Sequence, residues 1–200
     1  MIRHVEEGDQ VHIAILCNRA YDHSYDSKAI EREKGNAHRA KEILGYTDLR
    51  FFDLPDERLA DHFTDLLEAL ERLVAEIRPE IVYTCHAGDL HQDHRTTAHA
   101  SNIALRPIGA PSARQVLAYE IPSGTEQVFP QTAIPFLPSV FVDIEKQLDR
   151  KCTAMAAYER ESRPFPHPRS PQMLRAWACS RGSQCGRPAA EAFALLRQMH

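Results

Sequence analysis

Apolar and polar positions along the chain switch between two periods. A continuous apolar run, Val11–Cys17, follows the Gly8–Asp9 turn signal and predicts a buried strand. After a polar loop, Asn18–Ser27, the spacing predicts a helix over Ala29–Leu44, closed by Gly45. Leu49–Phe52 predicts a second strand. Next, Phe63, Leu66, Leu67, Leu70, Leu73, Val74 and Ile77 recur at helical spacing, with Glu68, Glu71, Arg72 and Glu76 elsewhere around the axis. That is one apolar stripe, which must pack on something, and Pro79 ends it. Ile81–Cys85 predicts a third strand, His86–Asp93 a loop, His94–Leu105 a helix and Gln115–Ile121 a fourth strand.

Strand, helix, strand, helix, strand implies an α/β domain, Rossmann-like, with a mainly parallel sheet flanked by helices. The remainder is less regular. Pro122–Pro138 predicts a long loop, Val140–Ile144 an edge strand, Glu145–Arg160 a helix and Pro171–Ser180 a short helix, with Ala189–Met199 closing the chain. Arg163–Arg169 contains three prolines and cannot be helical. No repeat or linker divides the pattern, so residues 1–200 read as one domain.

Composition narrows the partners. A net charge of -4, with Lys and Arg scattered, gives no general attraction to nucleic acid or to membrane phosphates. No apolar run is long enough to cross a bilayer, and no signal peptide is visible. Five cysteines without Cys-x-x-Cys spacing argue against a disulfide framework or zinc knuckle and suit a reducing cytoplasm. The pattern does not fix an oligomeric state and leaves room for a homo-oligomer.

Candidate chemistry concentrates after the third strand. Of eleven histidines, four fall within His86–His99. The run His86-Ala-Gly-Asp89-Leu-His91-Gln-Asp93-His94-Arg95 directly follows the strand, where open α/β sheets bind ligands. Imidazoles and carboxylates together suit a borderline cation such as zinc, and Asp93 is placed to fix a neighbouring imidazole's tautomer. The plainer alternative is that Asp93 caps the next helix and the histidines are solvated. His86 and His99 read as structural.

The stretches Gly8–His12, Ala40–Gly45, Phe52–Asp56, Ile77–Val82, His91–Arg95, Pro138–Asp143, Lys151, His167–Ser170, Arg181-Gly182 and Ala190–Phe193 occur in the order found in the LmbE-like, or PIG-L, deacetylases, which the chain resembles. The resemblance implies one zinc ion per subunit and hydrolysis of an acetamide on an N-acetylglucosamine-type sugar or sugar conjugate. It assigns zinc binding to His94, oxyanion stabilisation to His91 and an orienting role to Asp93. Arg19, Arg32, Arg169 and Glu191 are the substrate-side candidates.

A catalytic zinc needs three protein ligands and a water position. The family draws two ligands and its general base from a His-Pro-Asp-Asp element after its first strand, and this sequence contains no such element. The resemblance begins near Met1–Asp9, so Val11–Cys17 corresponds to the family's second strand. A sheet without its central strand would present unpaired edges. A longer natural chain is the favoured explanation. A second chain supplying the strand, or an inactive relative that binds carbohydrate or a partner, are the alternatives. Asp22, His23 and Asp26 are the residues placed to rebuild the site from within, and a solvated substrate-side loop is the favoured reading of them. The lack of an adjacent His-Asp pair disfavours an HD-type phosphohydrolase. The lack of Gly-x-Gly-x-x-Gly disfavours a dinucleotide-binding oxidoreductase.

Overall fold

The computed structural model describes all residues except 21–22, 109–112 and 133, so Asp22 lies outside the described residues. The chain forms two compact units. One comprises Met1–Pro55 with Phe141–Glu191, the other Asp56–Val140 with Ala192–His200.

In the first unit, α1 (Ile2–Glu6) leads to β1 (His12–Asn18), α2 (Ser27–Leu44) and β2 (Asp48–Pro55). β1 and β2 pair in parallel, with Ile13 opposite Leu49 and Ile15 opposite Phe51. The Asp26 carboxylate caps α2 by accepting the Lys28 amide, as a short acidic side chain does at a helix start. α2 packs on α5 (Leu148–Ala156). A core of Ile144, Leu148, Cys152, Leu174, Ala178 and Ala189 joins α5 to α6 (Pro171–Ser183). The helix expected from Glu145 begins instead as a single 3-10 turn, Glu145–Gln147, because the Asp143 carboxylate accepts the Glu145 amide.

Gly45 ends α2 in the left-handed region, at φ 80°. A Cβ there would also lie 3.0 Å from a guanidinium nitrogen of Arg150. Gly45→Ala is therefore expected to cost about 1–2 kcal/mol, the penalty of an L side chain in that conformation. The midpoint of urea unfolding reads this directly. An unchanged midpoint would show that the turn relaxes freely.

In the second unit the predicted apolar stripe forms α3 (Phe63–Ile77), which packs on α4 (Gln92–Ala104). Leu66 is fully buried, and Val74 packs with Val82 on Leu105, Ala113 and Val116. Arg78, in a left-handed conformation, closes α3 one residue before Pro79. β3 (Ile81–Cys85) pairs in parallel with β4 (Gln115–Tyr119), which pairs antiparallel with β6 (Ala190–Gln198). β5 (Val140–Asp143) spans the point in the chain where the second unit passes into the first. β1 and β3 are thus each the end strand of a sheet among the described residues. The architecture is α/β and Rossmann-like, with sheets flanked by helices.

Candidate active site

The run after β3 folds around a buried carboxylate. The Asp89 side chain is fully buried and serves three donors: the His91 amide at 2.8 Å, the Thr125 hydroxyl at 2.7 Å and Nδ1 of His94 at 2.8 Å. Burial alone would raise its pKa. The His94, His91 and Thr125 hydrogen bonds together outweigh that and hold the carboxyl below the usual range. Gly124 makes room for this arrangement, since a Cβ there would lie 2.8 Å from both Asp89 oxygens. Arg95 ties the loop from the other side by donating to the carbonyls of Asp89 and Leu90.

His91 starts α4. It takes an extended conformation, and its Nδ1 accepts the Asp93 amide at 3.2 Å. His91, not Asp93, is therefore the cap residue. Asp93 sits buried in the first turn, where the helix dipole favours a negative charge. Its carboxylate accepts the Glu57 and Leu59 amides, and the Gln92 side chain donates to the Glu57 carbonyl. Asp93 and Gln92 thus pin the turn that leads into α3. Burial raises the Asp93 pKa more than those two amides lower it.

These partners fix two opposite tautomers. A carboxylate accepts at Nδ1 of His94, so that nitrogen carries a proton, and in the neutral ring the lone pair lies on Nε2. A backbone amide can only donate, so Nδ1 of His91 is bare and its Nε2 carries the proton. The two rings lie 4.7 Å apart, and the His94 side chain is 31% exposed. One imidazole thus offers a lone pair and its neighbour a hydrogen-bond donor. His86 donates from Nε2 to the Ile134 carbonyl and meets the Phe136 ring, while His99 packs on Phe63.

The remaining candidates lie in the first unit. Arg19 and Arg169 both engage Glu161. Arg32 is exposed on α2. Glu191 pairs with Lys151 at 2.6 Å. Burial would raise the Glu191 pKa, but Lys151 holds it below the usual range. Asp26 serves as the α2 cap. Asp89 and Thr125 are the members of the site to which sequence reasoning gave no role. Asp89 stands in the singled-out run, but its partnership with His94, five positions on, depends on the loop's fold.

A zinc site needs converging nitrogen, oxygen or sulfur donors. His94 fits as one corner, with its tautomer fixed by a carboxylate as such ligands require. Among the described residues, no grouping of three converging donors includes His94. The ligand set is incomplete on that count, and no chemical step is derived through an ion.

Solved structures share this fold over essentially the whole chain. The 4-carboxy-2-hydroxymuconate hydratase GalB from Pseudomonas putida matches with a TM-score of 0.75 at 21% identity, covering 100% of this chain and 89% of that one. The N,N'-diacetylchitobiose deacetylase from Pyrococcus horikoshii matches with a TM-score of 0.74 at 16% identity, covering 98% and 76%. At these identities the likeness defines the fold. The family follows from sequence: residues 1–105 match PIG-L, GlcNAc-PI de-N-acetylase, and the chain belongs to that family. YaiS of Escherichia coli (strain K12), described as an uncharacterized deacetylase, is 34% identical over 113 residues, which are 54% of each chain. The alignment with this curated relative thus spans about half of its length.

Proposed function

We propose that the protein is an amide hydrolase that removes an acetyl group from an N-acetylated amino sugar or sugar conjugate. The observation that carries this reading is the opposed pair of tautomers at His91 and His94. Deacylation needs a cation-binding lone pair beside a donor for the charge that develops on the acyl oxygen. Nε2 of His94 supplies the first and Nε2–H of His91 the second. Zinc, when bound, would polarise the acyl oxygen and acidify a water. The chain's own residues hold the two rings in register through Asp89 and the Asp93 amide. Family membership and the resemblance to sugar deacetylases support the choice of substrate.

The second reading is a non-catalytic carbohydrate-binding or partner-binding module. The incomplete donor set around His94 favours it. No described helix is long and apolar enough to cross a membrane. All five cysteines are free, and on that ground we assign a reducing, cytoplasmic setting.

Acetate release from N-acetylglucosamine and N,N'-diacetylchitobiose, with zinc added or chelated, separates the readings. The hydrolase releases acetate with zinc and stops on chelation. Sugar binding without acetate under either condition overturns it in favour of the module.

A further inference from the structure

The exposed side of α4 carries a feature that the chemistry above does not use. Ala60, just before α3, Phe63, its first residue, and Arg95, Thr96 and His99 on α4 line an open groove of about 400 Å³. That volume falls in the range of small-molecule clefts, ~300–1,000 Å³. All of these residues belong to the second unit, which also holds His91 and His94. Residues four apart share a helix face, so His91, Arg95 and His99 follow one another along α4. At 1.5 Å per residue, Arg95 stands about 6 Å and His99 about 12 Å beyond His91 along the axis. The groove therefore begins one turn from the paired histidines. Arg95 joins the two places, because it lines the groove and donates from Nη1 to the Asp89 and Leu90 carbonyls.

The hydrogen-bonding groups around the groove narrow its occupant. Both carbonyls that Arg95 serves among the described residues are reached from Nη1, so the N–H groups on Nε and Nη2 are available to a ligand. His99 is exposed and packs on Phe63 without a hydrogen bond among the described residues. A neutral imidazole so placed keeps one donor and one acceptor. The Phe63 and His99 rings lie 5.0 Å apart, tilted by 36°. The groove thus presents aromatic surface beside polar groups that both donate and accept.

Three classes of occupant differ in what they would leave unmatched. An apolar partner would strip water from Arg95 and His99 and return no hydrogen bonds, which is a net cost. A compact anion would satisfy Arg95 but leave the aromatic surface and the imidazole acceptor unused. A sugar ring has C–H faces for Phe63 and His99, and hydroxyls that both donate and accept for the imidazole and the guanidinium. The plainer alternative is that α3 and α4 merely diverge here and that the two rings only pack on each other. Continuity with His91 through Arg95 weighs against it. We propose that the α3–α4 groove is a carbohydrate subsite for the sugar ring next to the acetamido sugar of a conjugate, with Phe63 and His99 as specificity-determining residues. The identity of that neighbouring sugar rests on the hydrolase reading. Ring binding in the groove does not, and it is measurable without turnover.

The test is ligand-observed NMR titration of the full chain, with zinc chelated, using N-acetylglucosamine and N,N'-diacetylchitobiose. The disaccharide is expected to bind at least about tenfold tighter, because its second ring enters the groove. His99→Ala alters an exposed residue that makes no hydrogen bond among the described residues, so the fold should survive. It is expected to cut the disaccharide's advantage about threefold or more while leaving the monosaccharide's affinity unchanged. Phe63→Leu keeps apolar bulk but removes the ring, and the same selective loss is expected. That split between ligands separates a subsite from a folding defect, which would weaken both. Equal affinity for the two sugars, binding of neither, or an undiminished advantage in either variant with its fold intact by circular dichroism overturns the proposal. So does a dimer that dissociates in His99→Ala while saccharide binding is unaffected, which would assign the groove to a second copy of the chain. Selective loss in the variants, with no acetate release from the zinc-loaded protein, would leave the subsite standing and remove only the hydrolase.

Discussion

His94→Ala is expected to lower zinc-dependent acetate release at least about a hundredfold, because a bound cation contributes several kcal/mol to stabilising the charged transition state. The side chain is 31% exposed, and its one recorded hydrogen bond goes to Asp89, so the fold should survive the change. Loss of activity with the unfolding midpoint nearly unchanged is the diagnostic combination. His91→Ala provides the contrast. It removes a donor and not a ligand, so it should reduce turnover while bound zinc, measured by elemental analysis, stays at the unsubstituted level. Equal zinc content in His94→Ala and the unsubstituted protein would remove His94 from the metal site and the amide hydrolase with it.

Much of this arrangement was legible in the sequence, for reasons that differ between elements. α3 was legible because seven apolar residues fall on one stripe and Pro79 fixes its end, so local pattern and tertiary burial agree. The loop after β3 was legible by position, since ligands gather at the carboxyl ends of parallel strands. β6 was not legible as a strand. Ala190–Gln198 shows no clean alternation, and it is extended because β4 offers an antiparallel ladder, with Phe193 opposite Tyr119. The start of α4 was misplaced by two residues, because an imidazole was not considered as a cap and His91 is one.

The pairing of Asp89 with His94 was also beyond a one-dimensional reading. A carboxylate five residues before a histidine has no periodic signature, and only the turn held by Arg95 and Thr125 brings the two together. Asp93, which chemistry nominated as the orienting group, is engaged by the amides of Glu57 and Leu59, more than thirty positions away. Sequence distance hid those contacts, whereas residue type had already marked Asp93 as a candidate.

Asp89→Ala is expected to cost about 2–4 kcal/mol of stability, because it strands the partly buried His91 amide and Thr125 hydroxyl without their acceptor, at roughly 1–3 kcal/mol each. It also releases His94 to adopt the other tautomer, so zinc affinity should fall about ten- to a hundredfold, as when a ligand's orienting partner is lost. Asp89→Asn keeps an acceptor and isolates the charge. The Asp89 pKa is depressed by folding from 3.8, so its carboxylate stabilises the protein fully above that value. That contribution is lost as pH falls through the lower folded value. The unsubstituted protein should therefore lose stability steeply below about pH 4, and Asp89→Asn should show a shallower acid limb. Asp93 runs the other way. Its folded pKa is raised, so protonation at mildly acidic pH relieves a burial cost. Urea unfolding of both proteins between pH 3 and pH 7 reads the difference. Parallel acid limbs would mean that Asp89 carries no special charge when folded, and the tautomer assigned to His94 would fall with it.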